Sequence, residues 1–325
     1  MNYIINILIN ICIKILEKFK IRSLIIGAGS IGLRHSEILK KFDHKIAFVS
    51  KRSDLKNTNY LNIKEALNVF KPTYIVVSQE TNKHLTTLKE IFKFGYTGKI
   101  LLEKPLSTSY RSSTNLNFKT DKIFLGYNLR FHPCIIKLKK ILDNENVLSA
   151  SVYTGQYLPD WRPLRDYKKT YSSRKNDGGG VLLELSHELD YLTFLFGECI
   201  KAVSWQDKLS NLEIDCHDSS IGIMSFQKCK FLSIHLNLLD RKARRYIIVN
   251  TNENSYKIDL IRSVFESNDS KEVLKKDRNI TYFLMHKDIL LSNKKKISCS
   301  FDEGINIMKL IHKLQLKRKF ELKYC

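Results

Sequence analysis

The sequence predicts an α/β protein: a doubly wound parallel sheet at the N-terminal end, followed by an α/β domain with a mostly antiparallel, open-faced sheet. Short apolar runs alternate with helix-like segments over the first 130 residues, which is typical of parallel strands joined by helices. Longer segments of alternating polar and apolar residues follow, as in antiparallel strands with one buried face. A length of 325 residues is also more than one core normally needs, which indicates two domains.

The first domain is predicted to cover residues 21–130. Its strands are short, apolar and rich in β-branched residues, and we place them at 21–26, 45–49, 74–77, 98–102 and 122–126. Helices are predicted at 33–40, 64–70 and 84–94. A sheet of this kind binds ligands beyond the carboxyl ends of its strands, so the residues after each strand are candidates for chemistry.

The second domain is predicted to cover residues 131–325. Alternating patterns predict its strands at 148–153, 219–226, 231–238, 245–250 and 255–260, after a helix at 134–142. Residues 160–180 are polar, aromatic and glycine-rich, which indicates a loop over a site rather than a linker. The last helix, at 302–317, has one apolar side and is expected to pack back on the first domain.

Residues 1–20 are predicted to form an apolar, amphipathic N-terminal extension. Asn6, Asn10 and Lys14 interrupt its apolar run, which is shorter than the roughly 20 residues of a membrane span. The run also lacks the basic start and the cleavage site of a secretory signal. We therefore expect no integral membrane span, and an extension that packs on the protein or is dispensable. The alternative is that its apolar face contacts a membrane surface. Seven scattered cysteines without a C-x-x-C pair predict reduced thiols and a cytoplasmic location.

The chain is strongly basic, with 55 Lys and Arg against 33 Asp and Glu and a formal net charge of +22. Such a field attracts phosphorylated ligands, nucleic acid or an anionic surface. The lysines are dispersed, however, and the sequence has neither zinc-finger spacing nor a basic zipper. We therefore expect no nucleic-acid partner.

A glycine motif follows the first predicted strand and opens a helix. In this context Gly27, Gly29 and Gly32 match the G-x-G-x-x-G fingerprint of a Rossmann dinucleotide site. The first glycine allows a tight turn, the second lets the backbone approach a pyrophosphate, and the third lets the helix pack on the strand. The helix N-terminus offers N–H groups to the phosphates. The predicted cofactor-binding residues here are Gly27, Gly29, Ser30, Ile31 and Gly32.

The second predicted strand is followed by Ser50, Lys51 and Arg52, where a site for NAD normally places an acidic residue. No carboxylate is expected there for a ribose 2′-hydroxyl. Lys51 and Arg52 could instead hold a 2′-phosphate, which favours NADP over NAD.

Glu103, Lys104 and Pro105 follow the strand that ends at Leu102. Lys104 could hydrogen-bond a substrate hydroxyl or carbonyl and carry a proton, and Pro105 fixes the turn that aims it. The alternative is an ordinary exposed lysine at a strand end.

A second group lies in the run from Gly178 to Asp190. A triple glycine suits backbone that turns sharply or approaches a ligand. After it, Glu184, His187 and Asp190 recur at every third residue and should lie near one face of a helix. A histidine between two carboxylates suits proton transfer, whereas one histidine without an H-E-x-x-H pattern predicts no metal site. The alternative is a helix with a solvated acidic face.

Together the three motifs resemble the glucose–fructose oxidoreductase and inositol dehydrogenase family (Gfo/Idh/MocA), in family order from residue 21 onward. The resemblance implies a nicotinamide cofactor, NAD or NADP, and hydride transfer at a sugar or cyclitol carbon. It implies that Lys104 is the active-site lysine and His187 the catalytic histidine. Glu184 lies three residues before the histidine, whereas the family usually has Asp four residues before it. The resemblance also implies a homo-oligomer that forms through the open sheet face.

Further site residues follow from the same resemblance. Residues 81–84 resemble the turn near the nicotinamide ribose, although the usual proline is missing, and residues 127–131 resemble a strand end that lines the site. The implied cofactor-binding residues are Thr81, Asn82, His84, Glu103 and Lys104, and the implied substrate-binding residues include Asn128 and Arg130.

The loop at 157–171 adds Trp161, Arg162 and Tyr171 as candidates for substrate binding. Aromatic faces stack on sugar rings, and arginine clasps carboxylate or phosphate. The loop resembles family members of surface-sugar pathways, which points to a sugar acid or a nucleotide-linked sugar. The alternative is a loop packed by its own aromatic residues.

These observations predict an NAD(P)-dependent oxidoreductase that acts on a secondary alcohol or ketone of a carbohydrate. Lys104 and His187 would handle the hydroxyl proton, and Glu184 and Asp190 would orient His187 or bind neighbouring hydroxyls. Two alternatives stay open. One is a sugar isomerase, epimerase or dehydratase that recycles its cofactor, and the other is a non-catalytic nucleotide-binding sensor or partner of the same fold.

Overall fold

The computed structural model describes residues 21–114, 116, 118–161, 163, 165–274, 277–291 and 297–316. The predicted N-terminal extension and Arg162 lie outside these residues. By its internal contacts the described chain divides into two compact units, one with residues 21–79 and 86–102 and one with residues 80–85 and 103–316. The domain limits given above, and the packing of the last helix on the first domain, stay predictions.

The first unit is built on five strands, which are β1 (Arg22–Ile26), β2 (Lys45–Val49), β3 (Thr58–Tyr60), β4 (Tyr74–Val77) and β5 (Lys99–Leu102). Its helices are α1 (Ser30–Lys40), α2 (Ile63–Phe70) and most of α3 (His84–Lys93). All pairings among these strands are parallel, in the order β5-β4-β1-β2-β3. Strands β1 and β4 are almost wholly buried because helices cover both faces of such a sheet.

The strand order of the first unit reverses beside β1, since β2 and β3 lie on one side of it and β4 and β5 on the other. The turn after β1 therefore lies at a topological switch point, where open α/β sheets bind their ligands. Ser78, directly after β4, donates a hydrogen bond from Oγ to the carbonyl of Gly27 at 2.8 Å. The predicted doubly wound parallel sheet is confirmed. Within the first unit, only β3 has no counterpart among the predicted strands, because it is three residues long and polar.

The second unit has ten strands among its described residues. They are β6 (Ile123–Leu125), β7 (Val147–Gly155), β8 (Cys199–Asp207), β9 (Ser219–Phe226), β10 (Phe231–Asn237), β11 (Arg244–Thr251), β12 (Ser255–Asp259), β13 (Val264–Glu266), β14 (Lys271–Val273) and β15 (Cys299–Ser300). Its further helices are α4 (Pro133–Leu142), α5 (Val181–Glu184), α6 (Ser186–Phe196), α7 (Ile280–Leu291) and α8 (Phe301–Gln315). Short 3-10 turns lie at Leu158–Trp161, Tyr167–Lys169, Tyr171–Ser173 and Lys175–Asp177, in agreement with the predicted loop.

Eight of these strands form one sheet in the order β14-β13-β12-β11-β7-β10-β9-β8. All its pairings are antiparallel except that of β7 with β10, which is parallel. One face is buried through alternate side chains such as Val152, Ile234 and Ile247. The other face leaves large apolar side chains exposed, namely Trp205, Ile221, Ile223 and Phe231. The predicted open-faced, mostly antiparallel sheet is thus confirmed.

Several elements differ from their prediction. The helix expected after the triple glycine is divided into α5 and α6 at Leu185, whose backbone (φ −98°, ψ 30°) is not helical. The last helix ends at Gln315, two residues early, and begins with a capping box between Ser300 and Glu303. Strand β8 and helix α7 were not predicted, because both lack clear polar and apolar periodicity. Strands β13, β14 and β15 were not predicted either, because each has only two or three residues. None of the helices in the described part of the chain is long and apolar enough to cross a membrane.

Candidate active site

The glycine motif of the first unit forms a tight turn between β1 and α1. Gly27 has φ +99°, which favours glycine, and a Cβ at Gly32 would overlap the carbonyl oxygen of Gly27. A Cβ at Gly29, in contrast, would meet no atom of the described chain within 4 Å. Gly27 and Gly32 are therefore required by the fold itself, whereas Gly29 leaves open space. Ser30 and Ile31 begin α1, and no side chain caps the first N–H groups of this helix.

The edge after β2 contains a carboxylate that the sequence pattern did not indicate. Arg52 donates from Nε and Nη2 to Asp54 at 2.8 and 2.5 Å, and from Nη1 to the carbonyl of Ala28 at 2.9 Å. The expectation that no carboxylate lies there was wrong, because the loop folds Asp54 back onto Arg52. Lys51 is exposed beside this pair.

Lys104 of the second unit is held by the backbone of the triple-glycine segment. Its Nζ donates to the main-chain carbonyl of Glu184 at 2.9 Å, although 80 residues separate the two in sequence. Lys104 is half-buried, so its ammonium group keeps some access to solvent. The structure therefore brings the two predicted catalytic segments together within one unit.

The division of the helix explains why this carbonyl can accept. In a continuous helix the N–H of Glu188 would bond to Glu184, four residues earlier. Here the N–H of Glu188 donates instead to Leu185, at 3.2 Å. The carbonyl of Glu184 is consequently available to Lys104.

The three glycines before Val181 form a sharp turn that only glycine can adopt. Gly178 and Gly180 have φ +96° and +106°, and a Cβ at Gly179 would lie 2.5 Å from the carbonyl oxygen of Ser172. These positions accept only glycine without displacement of the backbone. The predicted sharp turn is thus present, packed against the preceding loop.

His187 is half-buried and lies edge-on to the ring of Tyr127, with 5.6 Å between the ring centroids. Its Nδ1 is buried and has no hydrogen-bond partner among the described residues. Burial, assisted by the positive charges of Lys104 and Arg245, holds the pKa of His187 well below its usual value. The imidazole is therefore neutral near pH 7, which suits a proton acceptor.

Glu184 and Ser186 add buried polar atoms to this region. Oε1 of Glu184 and Oγ of Ser186 have no hydrogen-bond partner within the described chain. Unpaired buried polar atoms are costly, so such groups usually face a ligand or an ordered water. This donor and acceptor set fits a polyhydroxylated ligand.

Asp190 and Arg130 contact each other, which the sequence did not predict. Arg130 donates from Nε to both oxygens of Asp190 at 3.0 Å and from Nη2 to Oδ1 at 2.8 Å. Its Nη1 donates to Glu303 at 2.9 Å. Burial raises the pKa of Asp190 to about 6, and the charge of Arg130 opposes a further rise. Both side chains belong to a buried ion pair, and Asp190 does not orient His187.

Asn128 is hydrogen-bonded to helix α7. Its Nδ2 donates to Oγ1 of Thr281 at 2.7 Å, and both residues are buried. Asn128 therefore helps to hold α7, and its role in substrate binding stays a prediction.

The turn at 81–84 is bound to the loop before the triple glycine and to the turn at Lys104. Asn82 donates from Nδ2 to Asp177 at 2.9 Å. Thr81 is buried next to Gly178, since a Cβ added to that glycine would lie 3.1 Å from Cβ of Thr81. His84 is 1% exposed, and its Nδ1 lies 2.9 Å from the carbonyl oxygen of Pro105. His84 is thus buried against the lysine turn, and its contact with a cofactor stays a prediction.

Glu103 is likewise part of the turn. Its carboxylate accepts from the N–H of Lys104 at 3.2 Å, and a Cβ on Gly126 would lie 2.7 Å from its Oε1. Glu103 is buried, which makes it a support of Lys104 rather than an open binding group.

Trp161 and Tyr171 are both half-buried. Trp161 lies in a small cleft formed by its own loop, with Pro159, Arg165 and Tyr167 among the lining residues. Its indole N–H is buried without a partner among the described residues. This placement agrees with the alternative of a loop packed by its own side chains.

Sequence reasoning missed Glu188 and Arg245, which lie close to His187. Tyr127 belongs to the segment 127–131 that was expected to line the site, but it was not singled out. Tyr127 and Glu188 are buried, and Arg245 forms an ion pair with Glu188. One signal was present: an acidic residue inside an apolar helix normally requires a cationic partner. The identity of that partner depends on tertiary contacts.

Compared by sequence, the chain matches no protein-family model and no curated protein. Solved structures do match its fold. An oxidoreductase from Thermotoga maritima aligns with a TM-score of 0.76 at 14% identity, covering 91% of this chain and 95% of that one. The WlbA dehydrogenase from Bordetella pertussis, solved in complex with NADH and UDP-GlcNAcA, aligns with a TM-score of 0.74 at 13% identity over 91% and 95% of the chains.

A third match is the UDP-N-acetylglucosamine 3-dehydrogenase GnnA from Acidithiobacillus ferrooxidans. It aligns with a TM-score of 0.73 at 13% identity, covering 90% of this chain and 96% of that one. The chain is therefore similar to these proteins over nearly its whole length. At such identities the likeness establishes the fold, a Rossmann-like parallel sheet with a second, antiparallel sheet.

Proposed function

We propose that the chain is a member of the Gfo/Idh/MocA family and an NAD(P)-dependent oxidoreductase that acts on a secondary alcohol or ketone of a carbohydrate. One observation carries the proposal: Lys104 donates to the Glu184 carbonyl in the same unit that holds the neutral imidazole of His187. An ammonium donor and a neutral nitrogen base are the two groups that proton transfer at an alcohol needs.

The nicotinamide cofactor would be held by the turn after β1. The open space at Gly29 and the uncapped start of α1 support a bound pyrophosphate. The candidate residues are Gly27, Gly29, Ser30, Ile31 and Gly32, with Thr81 and Asn82 as further candidates. The bound cofactor would accept or supply the hydride. Arg52 and Lys51 support NADP as the preferred form, although Asp54 competes for the guanidinium of Arg52.

In the oxidation direction His187 would accept the hydroxyl proton as the alcohol becomes a ketone. Lys104 would donate a hydrogen bond to the same oxygen, which favours the developing carbonyl. The carbonyl of Glu184 fixes the position of the Lys104 ammonium group and leaves two of its three protons for substrate. Glu184 would accept hydrogen bonds from neighbouring hydroxyls through its unpaired Oε1.

The substrate class is a sugar, a sugar acid or a nucleotide-linked sugar. Structures of similar fold support it, since one holds UDP-GlcNAcA and another is named for UDP-N-acetylglucosamine. We also propose a cytoplasmic homo-oligomer. Exposed Trp205, Ile221, Ile223 and Phe231 give the open sheet face an apolar patch that a second copy would cover.

Two measurements test this proposal. Intrinsic fluorescence with NADH and with NADPH measures cofactor binding, and absorbance at the nicotinamide band measures turnover on a panel of free and nucleotide-linked sugars. Binding together with turnover on at least one sugar is expected. Protein that is folded by circular dichroism and binds neither nucleotide would contradict the proposal. Binding without turnover on any panel member would favour the sensor alternative.

A further inference from the structure

Arg245 forms an ion pair with Glu188, a fully buried carboxylate next to His187 in sequence. Its Nε lies 2.8 Å from Oε1 of Glu188, which is 0% exposed, while 22% of the Arg245 side chain is exposed. Thr154 lies opposite Arg245 in the sheet register and donates to the same Oε1 at 3.0 Å. Oε1 of Glu188 therefore has two partners, a hydrogen bond from Thr154 and an ion pair with Arg245. The ion pair does not have hydrogen-bond geometry, so it holds the guanidinium group near Glu188 by charge alone.

Glu188 follows His187 directly in α6, so the ion pair places Arg245 at the His187 end of this helix. The charge of Arg245 also contributes to the lowered pKa of His187, in agreement with this proximity. No described residue accepts a hydrogen bond from Nη1 or Nη2 of Arg245, in contrast to Arg130, whose Nη groups both have carboxylate partners. The terminal edge of the Arg245 fork is consequently available to a ligand.

A guanidinium edge of this kind has a defined chemical complement. Its two parallel N–H groups match the two oxygens of a carboxylate, and an arginine whose rotamer is already fixed loses little freedom on binding. Partial burial strengthens the interaction because less water competes for the charge.

We propose that Arg245 binds a carboxylate of the substrate, so that the preferred substrates are acidic sugars. This inference rests on the function proposed above and narrows its substrate class. Arg245 is then a specificity-determining residue, and Glu188 is the positioning residue behind it. Phosphate groups offer related chemistry, and the experiment separates the two anions.

The neighbouring Arg244 is a matched control. Successive residues of a strand point to opposite faces, and Arg244 is exposed, with its Nη1 3.0 Å from Asp240. Each arginine thus has one carboxylate partner, but only Arg245 lies beside His187. Lysine is the best replacement for Arg245, because it keeps a cation near buried Glu188 and removes the planar guanidinium edge with its two parallel N–H groups.

Calorimetry on cofactor-loaded protein would use two pairs of probes: UDP-GlcNAcA with UDP-N-acetylglucosamine, and glucuronate with glucose. We expect the acidic member of at least one pair to bind about 10-fold more tightly than the neutral member. Arg245→Lys should lose about 10-fold in affinity for the acidic member and less than about 2-fold for the neutral one. Arg244→Lys should leave both affinities unchanged.

Equal affinity for acidic and neutral members in both pairs would overturn the inference. An equal loss for both UDP-linked probes in Arg245→Lys would assign the guanidinium to phosphate and overturn it as well. Equal losses for all probes, with a lower unfolding midpoint, would leave Arg245 a structural role only. Failure of the proposed function itself is distinguishable, because it would appear as absent NADH and NADPH binding before any sugar is added.

Discussion

Arg130 and Asp190 form a two-point ion pair in the core of the second unit, with Nη2 of Arg130 2.8 Å from Oδ1 of Asp190 and both side chains almost fully buried. The helical spacing assigned Asp190 to His187 or to neighbouring hydroxyls, and the family resemblance implied that Arg130 binds substrate. Their mutual contact satisfies those charges inside the protein. The pair links the segment after β6 to helix α6, which carries His187.

Breaking this pair should therefore destabilise the fold rather than remove a chemical step. Arg130→Met or Asp190→Asn leaves one buried charge without its partner, which costs about 3–5 kcal/mol of unfolding free energy. Urea unfolding followed by circular dichroism measures the loss. Lys271→Met, in an exposed pair with Glu266, is the control and should leave the midpoint unchanged. A stable Asp190→Asn variant without activity would instead support a catalytic role of Asp190.

Lys104→Met should abolish most turnover and preserve nucleotide binding. The variant removes the ammonium donor that the Glu184 carbonyl holds, and loss of such a group lowers kcat by about 100-fold or more. Steady-state kinetics at saturating cofactor and sugar measure the effect. Lys257→Met, at an exposed position of β12, should behave as the parent protein. If kcat of Lys104→Met stayed within about 2-fold of the parent value, Lys104 would not have the proposed role.

The two glycines of the turn after β1 should separate folding from binding. Gly29→Ala adds a methyl group at a backbone conformation that alanine tolerates (φ −74°, ψ −175°) and where no atom of the described chain lies within 4 Å. Its stability should stay within about 0.5 kcal/mol of the parent, while NAD(P) affinity falls about 10-fold. Gly32→Ala should lose about 1–3 kcal/mol or more of stability, because its methyl group overlaps the carbonyl of Gly27. Unchanged nucleotide affinity in Gly29→Ala would argue against this turn as the phosphate site.

The pH dependence of kcat should report the environment of His187. Because its pKa lies well below the usual value, the imidazole stays neutral down to and below pH 6.5, and the acid limb of the oxidation profile should lie on the acid side of that value. Arg245→Gln removes a positive charge that lowers this pKa, so the acid limb should move to higher pH. Arg244→Gln should not move it. A shift to lower pH, or none, would contradict the assigned electrostatics.

The Arg52–Asp54 pair should set the balance between NADPH and NADH. Asp54→Asn releases the guanidinium and should raise the affinity ratio of NADPH to NADH, whereas Arg52→Gln should lower it about 10-fold. Fluorescence titration with both nucleotides measures the ratio. Lys56→Gln makes the same charge change at an exposed position of the same loop and should have little effect. Identical ratios in all variants would show that this edge does not contact the ribose.

The association of Lys104 with the glycine-rich histidine segment was implied by the family resemblance. The sequence by itself determined the two sheets, the turn at Gly27 and the turn at Lys104. These features depend on local patterns: alternation along strands, glycine where the backbone turns sharply, and proline beside Lys104. Local pattern also predicted one helix through Glu184, His187 and Asp190, and that prediction failed at Leu185. The break leaves the carbonyl of Glu184 available to a long-range partner, Lys104, 80 residues away in sequence.

Only the tertiary structure decided how the charges pair. Two of the ion pairs join residues that are far apart in sequence, namely Arg130 with Asp190 and Arg245 with Glu188. By contrast, the pair of Arg52 with Asp54 joins residues close in sequence. A buried charge must find a counter-charge wherever the fold offers one, so the choice follows from packing and not from neighbourhood in sequence. For this reason the pattern identified which residue types gather near His187, while the fold determined which of them are already engaged and which remain open to a ligand.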